Sequence, residues 1–332
     1  MTQTEEIKTK NRTRASKIGR LLLKIFGAIL ILIVLFLATT YIVNIFSNKS
    51  DLNKIEPYGQ SATVDGKKLN VLIQGQGEET IVLLTGYGTA APALDFKPLV
   101  DELAPYYKVA VVEPLGYGLS DDTTKERTSE NMVSEIHEAL QQLDIDRYIL
   151  MGHSIAGIYG LEYVNKYGDE VTAFVGIDSS VPTQGGMDTE FPINMFKFLR
   201  QSGLGRLAMK VSGDPYAEIA AFDDETKEQL RLISLKNMYN SSMMNEMEHF
   251  NDNFIAARRL KFPADLPLLL FVQANNTDVE GWIPLHEEQT KDSVLGKMIT
   301  VEGDHYLHHT KSKEIVQDFR EYMKEVNAGA KE

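Results

Sequence analysis

Residues 152–157 read Gly-His-Ser-Ile-Ala-Gly, directly after the apolar run Tyr148-Ile149-Leu150-Met151 and just ahead of a helix-spaced apolar pattern. A serine on such a strand-to-helix turn can act as a nucleophile if the backbone bends sharply enough to lift its hydroxyl clear of the sheet. Larger side chains at the flanking positions would collide with the neighbouring strand and helix, so Gly152 and Ala156 are the small residues the turn requires. The same turn sets the amide of Ile155 at a helix start, where a backbone N–H can hold a developing oxyanion. A hydroxyl is a poor nucleophile alone; it needs a base, normally a histidine steadied by a carboxylate.

The elements that must position these groups are legible on either side. Apolar runs at 80–85, 108–113, 147–152, 173–178, 266–272 and 297–302 alternate with amphipathic stretches such as 129–143 and 155–167. Near-continuous apolar strands separated by helices predict an α/β fold, a mostly parallel sheet covered by helices on both faces. Ahead of them, 62–75 reads as a hairpin turning at Asp65-Gly66. The stretch 181–265 carries no convincing strand and is rich in methionine, which predicts an inserted helical cap able to deform around an apolar ligand.

In this setting residues 60–325 resemble the α/β-hydrolase fold family. Gly86-Tyr87-Gly88, after the run Thr80–Thr85, is similar to the family's oxyanion loop, with Thr85 in the place of its histidine. The resemblance implies that Tyr87 lends the second backbone N–H beside Ile155. Glu113-Pro-Leu-Gly116-Tyr-Gly118-Leu-Ser120-Asp121 is similar to a structural segment of the family, with Glu in place of Asp, and is assigned no chemistry. His305, in Gly303-Asp304-His305 between the last strand and the final helix (311–326), matches the family's histidine loop and is the expected base.

The acid is less direct. Counting nine residues from Pro267, as the family's spacing implies, lands on Asn276, which carries no negative charge. Asp278, two residues on, is the expected acid, and Asp178, after the preceding strand, is the alternative. Of the other histidines, His153 is expected to be structural and His137 to lie on the surface. His308 and His309 invite a metal reading, but with no partners at ligand spacing they are expected to be solvated.

The 332 residues hold 34 basic and 47 acidic side chains and no cysteine. Residues 1–24 carry seven Lys/Arg against two acids, leaving 27 against 45 in the rest. So acidic a body argues against nucleic acid as a partner, and the missing cysteine excludes thiol catalysis and disulfides. From Ile25 to Val43 nineteen residues pass without a charge, about 28 Å as a helix and close to a bilayer's hydrocarbon thickness. The basic flank predicts a cytoplasmic N-terminus.

The organisation expected is a basic cytoplasmic tail (1–24), a transmembrane helix (25–46), a stalk (47–60), a core (61–180 and 266–328) and a cap (181–265). The function expected is a serine hydrolase anchored in the cell membrane, its catalytic domain on the outer side, cleaving an ester or related small apolar acyl substrate without cofactor or metal. Dehalogenase and epoxide-hydrolase chemistry would need Asp where Ser154 stands, whereas peptidase, carbon–carbon hydrolase and perhydrolase activities stay open. The alternative is a non-catalytic binding or scaffold protein at the membrane.

Overall fold

The computed structural model describes residues 3–213 and 215–329, with side chains from residue 17 onward. Of the basic tail, residues 1 and 2 and the side chains before residue 17 lie outside this part. Helix α1 (Gln3–Leu52) carries the long apolar run, and all but one of its large apolar side chains from Leu21 to Phe46 are exposed, so no protein core accounts for them. Its stretch Lys17–Leu52 is long and apolar enough to cross a membrane, a property that signal sequences share. The helix continues through Leu52, into the segment expected to form a stalk.

The body is built on one eight-stranded sheet: β1 (Gln60–Val64), β2 (Lys67–Gln74), β3 (Thr80–Leu84), β4 (Lys108–Glu113), β5 (Tyr148–His153), β6 (Val171–Ile177), β7 (Leu268–Gln273) and β8 (Gly296–Val301). The spatial order is β1-β2-β4-β3-β5-β6-β7-β8, antiparallel at the β1–β2 hairpin and at β2–β4, and parallel from β4 to β8. The chain thus has the α/β-hydrolase fold. Strands β3 to β7 are apolar on both sides because helices cover both. One face packs on α4 (Ser129–Gln142) and α5 (Ala156–Tyr167) through Met132, Ile136, Ile158 and Leu161. The other packs on α3 (Lys97–Leu103) and the closing helix, through Leu99, Leu103, Ile315 and Phe319.

The 181–265 insert is helical, as expected. Its long elements are α6 (Ile193–Ser202), α7 (Leu204–Ser212), α8 (Asp224–Asn237) and α9 (Ser241–Ala257), with α2 (Pro92–Asp95) earlier in the core and α10 (Trp282–Thr290), α11 (Leu307–Thr310) and α12 (Ser312–Gly329) following it. Polar groups seat the cap on the core loops. Asn240 Nδ2 donates to the Gly116 carbonyl at 2.6 Å, Asn237 Nδ2 to Gly118 at 2.9 Å, and Ser242 Oγ to Asp122 at 2.7 Å.

Candidate active site

Ser154 stands one residue past the end of β5, with φ at +57°, a left-handed conformation that a residue other than glycine adopts only where its surroundings impose it. Its backbone N–H reaches the Ile177 carbonyl at 3.3 Å, and its carbonyl accepts from Ser180 at 2.7 Å and Gly157 at 3.0 Å. The turn is tight: a Cβ on Gly152 would lie 2.8 Å from that of Ala156. This is the steric reason for the two small residues.

His305 follows β8 and bridges two groups. Its Nε2 lies 2.9 Å from Ser154 Oγ and its Nδ1 lies 2.6 Å from Asp178 Oδ2. The buried Asp178 carboxylate accepts through its other oxygen from the Trp282 indole N–H at 2.7 Å and the Gln273 amide at 2.9 Å. Three donors therefore converge on a charge removed from water, which is the condition for burying one. The His305 side chain is 42% exposed, so the opposite edge of the triangle is open.

The structure does not bring Asp278, the first expectation for the acid, to the imidazole. It lies on the exposed loop after β7, where the Asn276 side chain accepts from the amides of Asp278 and Val279 and closes a local turn. Asp178 holds the place instead, and register explains why. His153 on β5 pairs with Ile177 on β6, so Ser154 and Asp178 leave adjacent strands at the same level, both at positive φ. The sequence carries this as a repeated Gly-x-polar ending, Gly152-His-Ser154 and Gly176-Ile-Asp178, a signal that the count from Pro267 passes over.

Tyr87 and Ile155 both belong to segments that adjoin Ser154. The loop carrying Tyr87 passes over Ser154 so closely that a Cβ on Gly86 would lie 3.0 Å from Ser154 Cβ. Among the described residues neither backbone N–H, of Tyr87 or of Ile155, has a hydrogen-bond partner. Two unpartnered amides on segments next to a serine hydroxyl suit the stabilisation of negative charge on oxygen. The Tyr87 ring packs against Phe191 and Phe250 of the cap at centroid distances of 6.4 and 5.7 Å, which makes an apolar wall.

His308 and His309 depart from the expectation of solvent exposure. Both are buried, with their Nε2 atoms 2.7 and 2.9 Å from the two oxygens of Asp95, which α2 brings from more than 200 residues away. These three are the described group whose atoms could hold a metal ion, although they already satisfy one another. Burial alone would raise the Asp95 carboxyl, but the two imidazoles outweigh it and hold it well below the usual range. His153, expected to be structural, is buried with Nε2 3.0 Å from the His305 carbonyl. Burial, then the neighbouring His308 and His305, push its pKa well down, so the ring is neutral. His137 is half-buried, paired with Glu170 at 2.9 Å and stacked on Tyr167.

Two further acids are buried near the site, of which Glu246 escaped the sequence reading. Glu113 is buried and accepts from Tyr58, Asn70 and the Leu119 amide, bracing the Gly116–Ser120 turn in the structural part its segment was expected to play. Glu246 of α9 is buried beneath the Tyr87 loop and accepts from Tyr117 at 2.6 Å and from Tyr159. Burial raises its pKa despite those two hydroxyls and the more distant Arg127.

Comparison with known proteins agrees with this architecture. Residues 79–203 match the alpha/beta hydrolase fold family. An uncharacterized protein of Bacillus subtilis (strain 168), YbdG, is 26% identical over 315 residues, covering 91% of this chain and 97% of that one. The 2-hydroxy-6-oxononadienedioate/2-hydroxy-6-oxononatrienedioate hydrolase of Escherichia coli (strain K12) is 27% identical over 222 residues, covering 65% of this chain and 75% of that one. Among solved structures, the enol-lactonase of Burkholderia xenovorans LB400 superposes with a TM-score of 0.63 at 16% identity, over 80% of this chain and all of that one. With the parallel sheet, the sharp serine turn and the inserted cap in place, the chain has the α/β-hydrolase fold, and its residues 79–203 match that family.

Proposed function

We propose that this protein is a serine hydrolase that cleaves an ester or a related acyl bond through an acyl-enzyme. The observation that carries the reading is the double contact of His305, with Ser154 Oγ on one ring nitrogen and the buried Asp178 carboxylate on the other. In this mechanism Ser154 Oγ attacks the carbonyl carbon while His305 Nε2 takes its proton. Asp178 holds the ring in the tautomer that presents a lone pair to the serine, then stabilises the imidazolium that forms. The oxygen that gains charge is held by the amides of Tyr87 and Ile155. His305 returns the proton to the leaving group, and water, activated by the same imidazole, releases the acid and regenerates Ser154.

The aromatic wall of Tyr87, Phe191 and Phe250 supports an apolar acyl or leaving group. The uncharged run of α1 and its basic flank support a single-pass anchor with the N-terminus in the cytoplasm and the body outside. Labelling with a fluorophosphonate probe tests the chemistry. The wild-type chain is expected to label at Ser154 and to turn over p-nitrophenyl esters, and Ser154→Ala to do neither. Labelling that survives Ser154→Ala, or none in the wild type, removes the enzymatic reading and leaves a binding protein of the same fold.

A further inference from the structure

Apart from α1, few large apolar side chains are exposed on this protein, and four of them lie on the short helices α6 and α7 of the cap. Met195 and Phe198 are 50% and 49% exposed at i, i+3 spacing on α6; Leu207 and Val211 are 36% and 79% exposed at i, i+4 spacing on α7. Each helix thus presents one apolar stripe outward. The same twenty residues, 193–212, hold four basic side chains (Lys197, Arg200, Arg206, Lys210) and no acid, in a body that is acidic elsewhere. Arg200 turns inward to the Met238 carbonyl and Arg206 pairs with Asp51 of α1 at 2.5 Å, while Lys197 and Lys210 are exposed.

The position of this hairpin fixes what lies beside it. Gly203, in the turn between α6 and α7, is so close to α1 that a Cβ there would meet the Thr40 carbonyl oxygen at 2.6 Å and Asn44 Cβ at 2.7 Å. Arg206 Nε also donates to Asn44 Oδ1 at 3.1 Å. Thr40 lies three residues before Val43, after which the polar residues Asn44, Ser47 and Asn48 and the charge of Lys49 begin, so the turn sits at the outer boundary of any bilayer that α1 crosses. A crevice of about 520 Å³, lined in part by Phe36, Val43, Leu207, Met209 and Leu235, continues from the span to the cap.

We propose that the α6–α7 hairpin is a membrane-seating element, with its apolar stripes in the interfacial layer and Lys197 and Lys210 against anionic lipid headgroups. This rests on the reading of α1 as a membrane span. Basic amphipathic helices with apolar exposed faces lie in the interface plane, and here the seating is continuous with the anchor itself. It also orients the site, because Phe191, just ahead of α6, packs on the Tyr87 loop.

The chain has no cysteine, so single cysteines report position without interference. Phe198→Cys, Val211→Cys, Leu32→Cys within the span and Val294→Cys, ahead of β8 at the far end of the sheet, are each labelled with bimane in the full chain. Each is reconstituted into phosphatidylglycerol/phosphatidylcholine vesicles containing a nitroxide lipid, either shallow or mid-bilayer. The four side chains are exposed, so their replacement leaves the core intact, and the two hairpin positions lie on separate helices. The expected result is several-fold stronger quenching by the shallow nitroxide at positions 198 and 211 than at 294, with mid-bilayer quenching at 32. Hairpin quenching should weaken in vesicles of phosphatidylcholine alone. Quenching at 32 with none above the 294 level at 198 and 211 overturns the proposal while leaving the anchor in place. No quenching at 32 removes the span reading and the proposal with it.

Discussion

Replacing Asp178 by Asn changes one charge and almost no volume, and the donors around the site decide the result. The native Oδ1 accepts from Trp282 and from the Gln273 amide, while Oδ2 faces His305 Nδ1. An Asn side chain has one acceptor. Turned toward His305, it would set its NH2 against two buried donors, each costing about 1–3 kcal/mol when left unpaired. Turned the other way, it keeps both bonds and presents NH2 to the imidazole. That second arrangement wins, and it forces His305 into the tautomer that protonates Nε2, where the lone pair for Ser154 should be. The expected loss in kcat is about 10³- to 10⁴-fold, roughly 4–5.5 kcal/mol of transition-state stabilisation. The unfolding midpoint should move little, since packing and two of three hydrogen bonds survive. Asp278→Asn, on its exposed loop, is the internal control and should change kcat less than about twofold. Steady-state ester hydrolysis and the rate of fluorophosphonate labelling measure both. Wild-type kcat in Asp178→Asn, or a large loss in Asp278→Asn, refutes the assignment.

Two further outcomes follow from Gly86, on the loop over Ser154, and from Glu246 on α9. Gly86→Ala would place a Cβ 2.9 Å from His153 Nδ1 and 3.0 Å from Ser154 Cβ, so the loop must retreat and carry the Tyr87 amide away. We expect kcat to fall about 10²-fold with little change in KM, the signature of a lost transition-state donor, and unchanged kcat would exclude Tyr87 from that part. Glu246 has a folded-state pKa raised above its ordinary 4.5 by burial, so the folded chain binds the proton more tightly than the unfolded one. The stability it contributes is complete below pH 4.5 and is lost as pH rises through the raised folded value, at about 1.4 kcal/mol per pH unit in that window. Glu246→Gln should therefore gain stability relative to wild type as pH rises from 4.5 toward neutrality in urea unfolding. Parallel curves for the two proteins would contradict this.

The sheet was readable because each strand is a short apolar run bounded by a turn or a helix start, and the six runs predicted coincide with β3 to β8 to within about two residues, the usual uncertainty of element ends. Ser154 and His305 were readable for the same reason: each sits at a strand's carboxyl end, which local pattern locates. Asp178 also sits at a strand end, but choosing between it and Asp278 needs the order of strands. That order follows from packing rather than from any one segment's pattern. The seating of the cap was invisible for a related reason. Asn240, Ser242 and Glu246 look like ordinary polar residues on a helix until Gly116, Asp122, Tyr117 and Tyr159 are brought opposite them.

The histidines after His305 show how far such non-local pairing reaches. In sequence His308 and His309 are two adjacent polar residues following a loop, and solvation is the economical expectation. In the fold, Asp95 accepts from both and anchors the turn that carries His305, while the neutral His153 ring is wedged between His308 and the His305 carbonyl. A base on a loop has to hold its ring within a few tenths of an ångström of the serine oxygen, and loops alone do not supply that rigidity. Here the loop is tied to α2 on one side and to the serine turn on the other, so Ser154 and His305 are positioned by a shared buried network. Asp95 and His153, the residues that fix His305, belong to segments that show no sign of it when read singly. They become meaningful only once the segments that follow β3, β5 and β8 are brought together in the fold.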